Sequence, residues 1–397
     1  MRRILPYTLA PLLFVAALPA RAQLSDEAQI SLITILPGDA IYSLWGHSAV
    51  RVHDPVQGID LAYNYGTFDF GDPISFVVTF AYGKLDYHLS VHSYPAAAHV
   101  AGPQEGRTVI EQALLLSASQ RNRLYQYLRT NALPQNRTYR YNFLFDNCST
   151  RVRDVFETVL GDSIRFAADQ EHVQTFRQLI GPYAAGLPLL RFMMNLGMGL
   201  PADHTVTSRE LMFLPTELST AFDEASLALG ETKHPLVART DTVYAASGRP
   251  VAWPWAMILG WLLLAAGVFV TASRQVLPGR IFDGILFGVT GVAGLLIVFL
   301  WFFSLHDITQ GNLNILWAWP THLAVTWHVA RGRTKKWLRM YMSATAVVTL
   351  GFVLVMAFLP QVIPGALLPI LLLLVLRSAG PIQKLAVARL PKTTLAS

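Results

Sequence analysis

The sequence predicts a two-part protein, an α+β domain followed by an all-helical membrane domain. Of its 397 residues, 53% are hydrophobic and 14% are charged, and the mean hydropathy is +0.38, which is too apolar for one soluble domain. Residues 25 to about 245 have a mixed composition and are numerous enough to bury their own core. After Pro250, apolar segments follow that mostly approach the ~20 residues needed to cross a membrane.

The N-terminus has the features of a signal peptide, predicted over residues 1–22. Arg2 and Arg3 form a positive n-region, residues 4–18 are mostly apolar, and Ala20-Arg21-Ala22 matches a small-x-small cleavage site. The alternative is an uncleaved anchor. In both cases we expect residue 25 onward to lie outside the cytoplasm.

Local patterns in the first domain predict both strands and helices. Ala49–His53 and Leu61–Phe70 alternate apolar and polar side chains, which is typical of strands. Ser117 followed by Gln120 is a capping-box signature for a helix that runs to about Asn131.

Further helices are predicted later in this domain. Apolar residues recur at helical spacing after Cys148, and Gly161 is a suitable C-cap. Residues 211–229 are predicted to be helical with an interruption at Pro215, and residues 230–250 to link the domain to the membrane. This first domain is therefore expected at 25–240.

Five apolar segments predict a transmembrane domain over residues 250–377. They are Val251–Ala272, Ile281–Phe303, Ile315–Ala330, Met340–Leu359 and Val362–Leu376. The third is short and contains Pro320, His322 and His328, which indicates a re-entrant or water-lined segment instead of a plain span.

The distribution of basic residues predicts the orientation of these spans. Two loops, Ser304–Asn314 and Pro360–Gln361, contain no Lys or Arg. The other two loops, Arg377 at the end of the fifth segment and the predicted cytoplasmic tail at 378–397 together contain eleven: Arg274, Arg280, Arg331, Arg333, Lys335, Lys336, Arg339, Arg377, Lys384, Arg389 and Lys392. The positive-inside rule then puts the α+β domain outside the cytoplasm. Much of the net charge of +6 belongs to the cytoplasmic face, so we expect no nucleic-acid partner.

The chain has a single cysteine, Cys148, and it lies in the exported domain. A lone cysteine cannot form an internal disulfide, so a free thiol in an oxidising compartment needs another explanation. Because the residues after it are predicted to be helical, its sulfur would lie at a helix N-terminus, where the backbone dipole favours the thiolate. This combination predicts a nucleophile.

A thiolate nucleophile needs a base, and several histidines precede the cysteine. His47 stands before a predicted strand and after a glycine that permits close backbone approach. His53 is predicted to be a turn residue, and His88 and His92 to alternate along a strand. Asn64 is a candidate to orient the base, although a structural strand asparagine fits its position nearly as well.

Other site chemistries find little support in the sequence. There is no HExxH, CxxC or Gly-rich phosphate loop, and no G-x-S-x-G elbow. No metal and no cofactor are therefore expected. Asp146 and Asn147, just before the cysteine, either shape an oxyanion site or cap the helix.

Several motifs in this order resemble the Lnb-type lipoprotein N-acyltransferases. In the first domain they are Trp45-Gly-His-Ser-Ala-Val-Arg51, Tyr65-Gly-Thr-Phe-Asp-Phe70, Gly83-Lys-Leu-Asp-Tyr87, Glu111-Gln112 and Asn142-Phe-Leu-Phe-Asp-Asn-Cys-Ser-Thr150. The segment from His306 to Trp317, followed by Pro320, is similar to the outside loop of that family's five-span region. The resemblance covers most of the chain.

The resemblance implies a circularly permuted papain-like fold, similar to lecithin:retinol acyltransferase and the NlpC-type peptidases, in which the histidine precedes the cysteine. It implies Cys148 and His47 as the catalytic pair, with Asn64 as the candidate third residue. The candidate substrate-binding residues are Asn147, Tyr65, His306, Asn312 and Asn314.

The implied reaction moves an acyl chain from a phospholipid, through a cysteine thioester, to the α-amine of a diacylglyceryl-cysteine lipoprotein at the bacterial inner membrane. Two alternatives stay open. One is an NlpC-type peptidase or amidase acting on cell-wall peptides, although such a soluble substrate does not require five spans. The other is a membrane scaffold with an inert buried thiol. For the outside loop, the alternative to substrate binding is that its polar residues only cap helix ends and are exposed to water.

Overall fold

The computed structural model of the chain describes residues 23–69, 71–229, 232–246, 255–272, 276–331 and 335–379. The predicted signal peptide and most of the predicted cytoplasmic tail lie outside these residues. The N-terminal part is rich in β-sheet, and the C-terminal part is helical. This confirms the predicted order of a mixed α and β domain followed by helices.

Among the residues that the structure describes, seven strands of the N-terminal domain form one antiparallel sheet, and five further strands form two smaller sheets. In chain order they are β1 (Gln29–Ile35), β2 (His47–Asp54), β3 (Ile59–Thr67), β4 (Asp86–Ser93), β5 (Val109–Leu114), β6 (Thr138–Arg140), β7 (Ile164–Arg165), β8 (Glu171–Thr175), β9 (Thr205–Thr207), β10 (Ser226–Leu229), β11 (Thr232–Pro235) and β12 (Val237–Tyr244). The main sheet has the order β12-β5-β1-β2-β3-β4-β6. The predicted strands at 49–53 and 61–70 are β2 and β3, and His53 lies in β2 and not in a turn.

Eight helices accompany this sheet in the described part of the domain. They are α1 (Pro73–Ala81), α2 (Tyr94–His99), α3 (Ala118–Asn131), α4 (Cys148–Leu160), α5 (Phe176–Ile180), α6 (Pro188–Gly197), α7 (Ser208–Leu211) and α8 (Pro215–Glu224). The capping box that begins α3 and the glycine that ends α4 are both confirmed. Gly161 has a φ of 53°, which only glycine adopts without strain.

The two faces of the sheet are covered differently. Because side chains alternate along a strand, Val50 and Val52 of β2 pack into the main core with α3, α4 and α8. Ala49, on the opposite face, packs into a smaller cluster that includes Tyr94 of α2. The helix that begins at the cysteine is thereby fixed against the middle of the sheet.

Two sequence predictions near the end of this domain were wrong. Residues 211–229 are not one interrupted helix, because Pro215 is the first residue of α8 and residues 226–229 form β10. Residues 230–250 are not only a linker, since β11 and β12 lie within them and β12 forms the edge of the main sheet. The domain therefore extends past residue 240.

The described residues of the C-terminal part form five helices: α9 (Trp255–Ala272), α10 (Val276–Phe302), α11 (His322–Ala330), α12 (Lys336–Val355) and α13 (Leu368–Ser378). Segments Gly279–Phe302 and Lys336–Phe358 are long and apolar enough to cross a membrane, and two shorter apolar helices cover Met257–Ala272 and Gly365–Ser378. Helix α11 has nine residues, which at 1.5 Å per residue make a rod of about 14 Å, under half of a ~30 Å hydrocarbon core.

A row of glycines on α10 brings α11 and the chain before it into close contact. Gly284, Gly288, Gly291 and Gly294 face, in turn, Ala330, Thr326, Leu323 and Ala318. At Gly291 an added Cβ would lie 2.7 Å from the Leu323 nitrogen, and at Gly294 it would overlap the Ala318 carbonyl oxygen. Ala318 is fully buried and lies in a non-helical stretch. Non-helical backbone is tolerated in a membrane domain where protein surrounds it, as in the re-entrant segment predicted here.

Replacing Gly294 with alanine is expected to destabilise this packing by about 1–3 kcal/mol, because the new methyl group forces the buried backbone apart. Thermal unfolding of the detergent-solubilised protein measures the effect as a lower Tm. The control is Gly351→Ala in α12, where an added Cβ has no neighbour within 4 Å. Equal melting temperatures for the two variants would contradict the close packing.

Candidate functional site

Cys148 is the first residue of α4, and Asn147 is its N-cap. Asn147 Oδ1 accepts hydrogen bonds from the backbone N–H groups of Ser149 (2.8 Å) and Thr150 (3.0 Å), and its Nδ2 donates to the Phe213 carbonyl (2.9 Å). The Asn147 side chain is buried. Of the two roles considered for Asn147, its contacts are those of a helix cap, and substrate binding by this residue stays a prediction.

His47 begins β2 at the position where the sheet meets the start of α4. Gly46 has a φ of +83°, and a Cβ there would lie 2.8 Å from the Ile35 carbonyl oxygen, so only glycine suits this turn. The next residue, Ser48, is tied to Ser149 by a buried hydroxyl–hydroxyl hydrogen bond of 3.0 Å. This bond fixes the beginning of the strand against the first turn of the helix.

The surroundings of the Cys148 sulfur favour its thiolate form. Burial alone would raise the pKa of the thiol, but the positive charge of His47 opposes this, as do hydrogen bonds from His47, the Ser48 backbone N–H and Ser149. Together these contacts lower the pKa of Cys148 below its ordinary value. The side chain is nevertheless partly exposed, which a reactive cysteine requires.

Asn64, on the neighbouring strand β3, reaches the same histidine. Its Oδ1 lies 3.4 Å from His47 Nε2, and its Nδ2 donates weakly to the Ala62 carbonyl at 3.5 Å. An imidazole that donates Nε2–H to an amide oxygen keeps Nδ1 as its basic nitrogen. The structure thus brings Cys148, His47 and Asn64 together, in the order expected for a nucleophile, a base and an orienting group.

Tyr65, a predicted substrate-binding residue, is buried, whereas its neighbour Gly66 lies beside Cys148. The Tyr65 side chain is 2% exposed and lies in the main core, and it packs edge-on against Tyr139. Gly66 has a φ of +90°, and a Cβ there would lie 3.4 Å from the Cys148 Cβ. Of these two residues, the glycine is therefore the one beside Cys148, and substrate contact by Tyr65 stays a prediction.

Two tyrosines that the sequence analysis did not propose, Tyr87 and Tyr141, interact with the Cys148 thiolate. Tyr87 stacks on Tyr141, with ring centroids 4.0 Å apart and an interplanar angle of 22°. Burial, followed by repulsion from the Cys148 thiolate, raises the pKa of Tyr87 to about 12 and raises that of Tyr141 as well. Both phenols stay neutral at physiological pH. The local signal was their position relative to two of the motifs, since Tyr87 ends one and Tyr141 directly precedes another.

A cavity of about 530 Å³ opens on the other side of His47, between the sheet and α2. The candidate catalytic residues His47 and Asn64 line it, and Thr67, Glu105 and Arg107 line it as well. A volume of this size is typical of small-molecule sites. The candidate base therefore lies between the partly exposed thiol and an open cavity.

Two family models match this chain. Residues 19–181 match the Lnb N-terminal periplasmic domain, and residues 247–385 match the Lnb transmembrane domain. The chain belongs to the Lnb family. It is thus a membrane protein with a periplasmic part, and membership indicates an enzyme of lipoprotein maturation. Searches of curated proteins and of solved structures gave no match.

In this Lnb-family chain, the loop after α10 contacts the periplasmic domain directly. We call residues 304–314 the outer loop. His306 Nε2 donates to the Phe80 carbonyl (2.7 Å), and the Leu305 N–H donates to the Tyr82 carbonyl (3.0 Å). Phe80 is near the end of α1, and Tyr82 directly follows that helix. His306 and Leu305 therefore bind backbone carbonyls of the periplasmic domain.

Asn312 and Asn314 of the outer loop form a buried amide network. Asn312 is 0% exposed, and its Nδ2 donates to the carbonyls of Leu196 (2.8 Å) and Gly197 (3.1 Å) at the end of α6. Asn314 Nδ2 donates to Asn312 Oδ1 (2.9 Å), and Asn314 Oδ1 accepts from Trp317 Nε1 (3.0 Å). The pair is therefore not in a wet loop, and it joins the two domains. Substrate binding by His306, Asn312 and Asn314 stays a prediction.

Replacing Asn312 with alanine is expected to lower the stability of the folded protein by about 1–3 kcal/mol, because it leaves buried carbonyls without a donor. Thermal unfolding in detergent and limited proteolysis at the junction measure this loss. The control is Asn136→Ala, which removes an exposed amide bonded to the Thr130 carbonyl. If both variants melt at the wild-type temperature, the amide network does not hold the domains together.

Proposed function

We propose that this Lnb-family protein transfers an acyl chain from a membrane phospholipid to the α-amine of a diacylglyceryl-cysteine lipoprotein, with Cys148 as acyl carrier. One observation carries the proposal. The partly exposed Cys148, with its pKa lowered by His47, belongs to a domain that is hydrogen-bonded to the membrane part through the outer loop. A thiolate held at a lipid surface is suited to accept an acyl group from that surface.

The arrangement of the domain is compatible with a permuted papain-like fold. In such a fold the base comes from a strand that precedes the helix of the nucleophile. Here His47 begins β2, Asn64 lies on β3, and Cys148 begins α4, which packs on the same sheet. We propose this fold and these three roles on that order and on the contacts between the residues.

The first half of the reaction forms a thioester. His47 holds the proton of Cys148, the sulfur attacks an ester carbonyl of the phospholipid, and a tetrahedral oxyanion forms. When it collapses, the C–O bond breaks and the leaving alkoxide takes the proton from His47, giving a lysophospholipid. Asn147 already occupies the N–H groups of Ser149 and Thr150, so the Cys148 N–H is the donor at this helix start that suits the oxyanion.

The second half transfers the acyl chain to an amine. The uncharged α-amine of the lipoprotein attacks the thioester carbonyl, its surplus proton passes to His47, and the thiolate leaves. An amide replaces the thioester, and the enzyme returns to its starting state. A thioester suits this step because amines attack it readily while water attacks it slowly.

The membrane part supports a location where both lipid substrates are present. With the periplasmic domain outside, five segments crossing or entering the bacterial inner membrane hold the site at the outer leaflet. Helix α6 supports this placement, since Phe192 and Leu196 pack against the core of the membrane helices while Leu189 and Met193 are exposed. A peptidase that acts on soluble cell-wall peptides does not need a catalytic domain held at the membrane surface.

The test is lipid and peptide mass spectrometry on the purified full-length protein in nanodiscs. We expect incubation with phosphatidylethanolamine or phosphatidylglycerol and a synthetic diacylated lipopeptide to yield a lysophospholipid and a lipopeptide heavier by one acyl chain. An N-acetylated lipopeptide, whose amine is blocked, is the control and should gain nothing. If no lysophospholipid appears and the free lipopeptide keeps its mass, the acyltransferase proposal fails. Cleavage of a muropeptide in the same preparation would favour the peptidase.

A further inference from the structure

The cavity beyond His47 contains a buried arginine with an unused donor. Arg107 is 6% exposed, its Nε donates to the Leu36 carbonyl (3.0 Å), and its Nη1 pairs with Glu105 (3.1 Å). Its Nη2 is buried and has no hydrogen-bond partner in the part of the chain that the structure describes. A buried cationic donor without a partner is costly, so this guanidinium is poised to bind an acceptor.

The walls of the cavity suit a ligand with both a polar and an apolar part. Ile35, Ala97 and Val100 supply one apolar side, while Thr67 and Ser90 supply hydroxyl groups on the other. Arginine binds phosphate well because its planar guanidinium offers parallel donors. Glu105 accepts the hydrogen bond from Nη1 of Arg107. Nη2 has no such partner among the described residues, so its N–H groups are left for an anion.

The cavity lies at the end of the main sheet from which the chain continues to the membrane. His47 pairs with Ile35, Ile35 with Val109, and Val109 with Tyr244, the last residue of β12. These residues form one row across four strands. The chain enters α9 after residues 245–254, and Tyr82, which follows α1, packs 4.8 Å from the ring of Phe299 in α10.

A loop joined to the cavity through Glu105 exposes apolar side chains, as expected for a surface that contacts lipid. Ile41 and Tyr42, in the loop between β1 and β2, are 62% and 57% exposed. Tyr42 also donates through its hydroxyl to Glu105 (3.3 Å). A loop that presents apolar side chains beside a polar cavity resembles a membrane-interface element in chemistry.

We propose that this cavity binds the phosphate-bearing headgroup of the acyl-donor phospholipid, with Arg107 contacting the phosphodiester. The inference rests on the proposed function and names the donor's recognition site. The lipid part of a diacylglyceryl-cysteine acceptor has no phosphate, so the site distinguishes the donor from the acceptor. His47, which lines the cavity and hydrogen-bonds Cys148, then lies between the headgroup and the sulfur.

The first experiment measures binding without catalysis. The Cys148→Ser protein is titrated with dihexanoyl-phosphatidylglycerol, with dihexanoylglycerol and with inorganic phosphate, and thermal shift and calorimetry report binding. We expect Arg107→Gln to weaken binding of the phospholipid at least about tenfold, the effect of losing a charge-assisted hydrogen bond, and to leave dihexanoylglycerol unaffected. If inorganic phosphate binds as tightly as the phospholipid, the site is one for a free anion and the proposal is overturned.

The second experiment measures formation of the acyl-enzyme on the protein with Cys148 intact. Arg107→Gln should raise the KM for phosphatidylglycerol about tenfold while leaving acylation by a p-nitrophenyl ester of the same chain unchanged, and Arg107→Lys should restore part of the loss. The matched control is Arg121→Gln, an arginine of α3 that also donates to backbone carbonyls but does not line the cavity. Equal losses with both acyl donors would mean a structural role and overturn the proposal.

A substitution outside the core gives an independent check on folding. Ala96 lines the cavity from the exposed side of α2, so Ala96→Trp narrows it without disturbing buried packing. We expect the same selective loss with phosphatidylglycerol and wild-type rates with the p-nitrophenyl ester. Full phospholipid activity in this variant would overturn the proposal.

If the wild type binds phospholipid through Arg107 but forms no acyl-enzyme from either donor, the proposed acyl transfer fails and the headgroup site stands.

Discussion

Replacing Cys148 with serine is expected to abolish acyl transfer, with a loss of about 10³-fold or more. A serine hydroxyl at this position stays protonated at neutral pH, whereas the contacts from His47 and the Ser48 N–H favour a thiolate. Serine has almost the same shape, so the fold should be retained. The measurement is the gain of acyl mass by a diacylated lipopeptide in nanodiscs, together with the Tm of each protein.

Intact-protein mass spectrometry tests the same step directly. With phospholipid and no acceptor, the wild type should gain the mass of one acyl chain, and hydroxylamine, which cleaves thioesters, should remove it. Cys148→Ser should gain nothing. Ser119→Ala, an exposed serine substitution in α3, is the control and should behave as wild type. Undiminished transfer by Cys148→Ser would rule out the thioester mechanism.

Local sequence signals located the start of the helix that carries Cys148, the proposed nucleophile, because that start depends on neighbouring residues. The apolar spacing after Cys148 and the C-cap at Gly161 are features of one helix, and they locate its start without knowledge of the rest of the fold. The pairing of His47 with Asn64 depends instead on the register between two strands. Sequence reasoning could propose these residues as candidates, but it could not bring their side chains to 3.4 Å.

The wrong predictions arose where long-range packing overrides the local pattern. Strand β12 is an edge strand whose residues are mostly exposed, so it lacks the alternation that identifies a half-buried strand, and its pairing with β5 decides its structure. In the sequence, Asn312 and Asn314 have the pattern of exposed loop residues. In the structure they bind carbonyl groups at the end of α6, which buries them. No sequence motif indicated Arg107, because its proposed role depends on a cavity that is formed by distant segments of the chain.

The contacts between the domains give the proposed site a fixed position relative to the membrane helices. The outer loop bonds the end of α1 on one side and the end of α6 on the other, so two separate elements of the periplasmic domain are attached to the membrane helices. The row from His47 to Tyr244 lies at the sheet end that leads to α9. A rigid attachment of this kind limits which lipid groups can reach the sulfur, which is a form of preorganisation.

The reactivity of Cys148 toward iodoacetamide is expected to depend on pH in a way that His47 controls. Only the thiolate reacts, and its pKa is lowered here, so the rate should remain high below the pH of about 8.5 at which an ordinary cysteine is half ionised. The rate should fall only when the pH drops through the lowered pKa. An inert buried thiol would show the opposite shift.

In His47→Ala the profile should move to higher pH, because burial then raises the pKa of Cys148 without an opposing positive charge. Each unit of upward shift slows alkylation about tenfold at a pH below both pKa values. The matched control is His53→Ala, which removes a histidine from the same strand and should leave the profile unchanged. If the His47→Ala and wild-type profiles coincide, then His47 does not maintain the thiolate, and the base of the proposed reaction must be sought elsewhere.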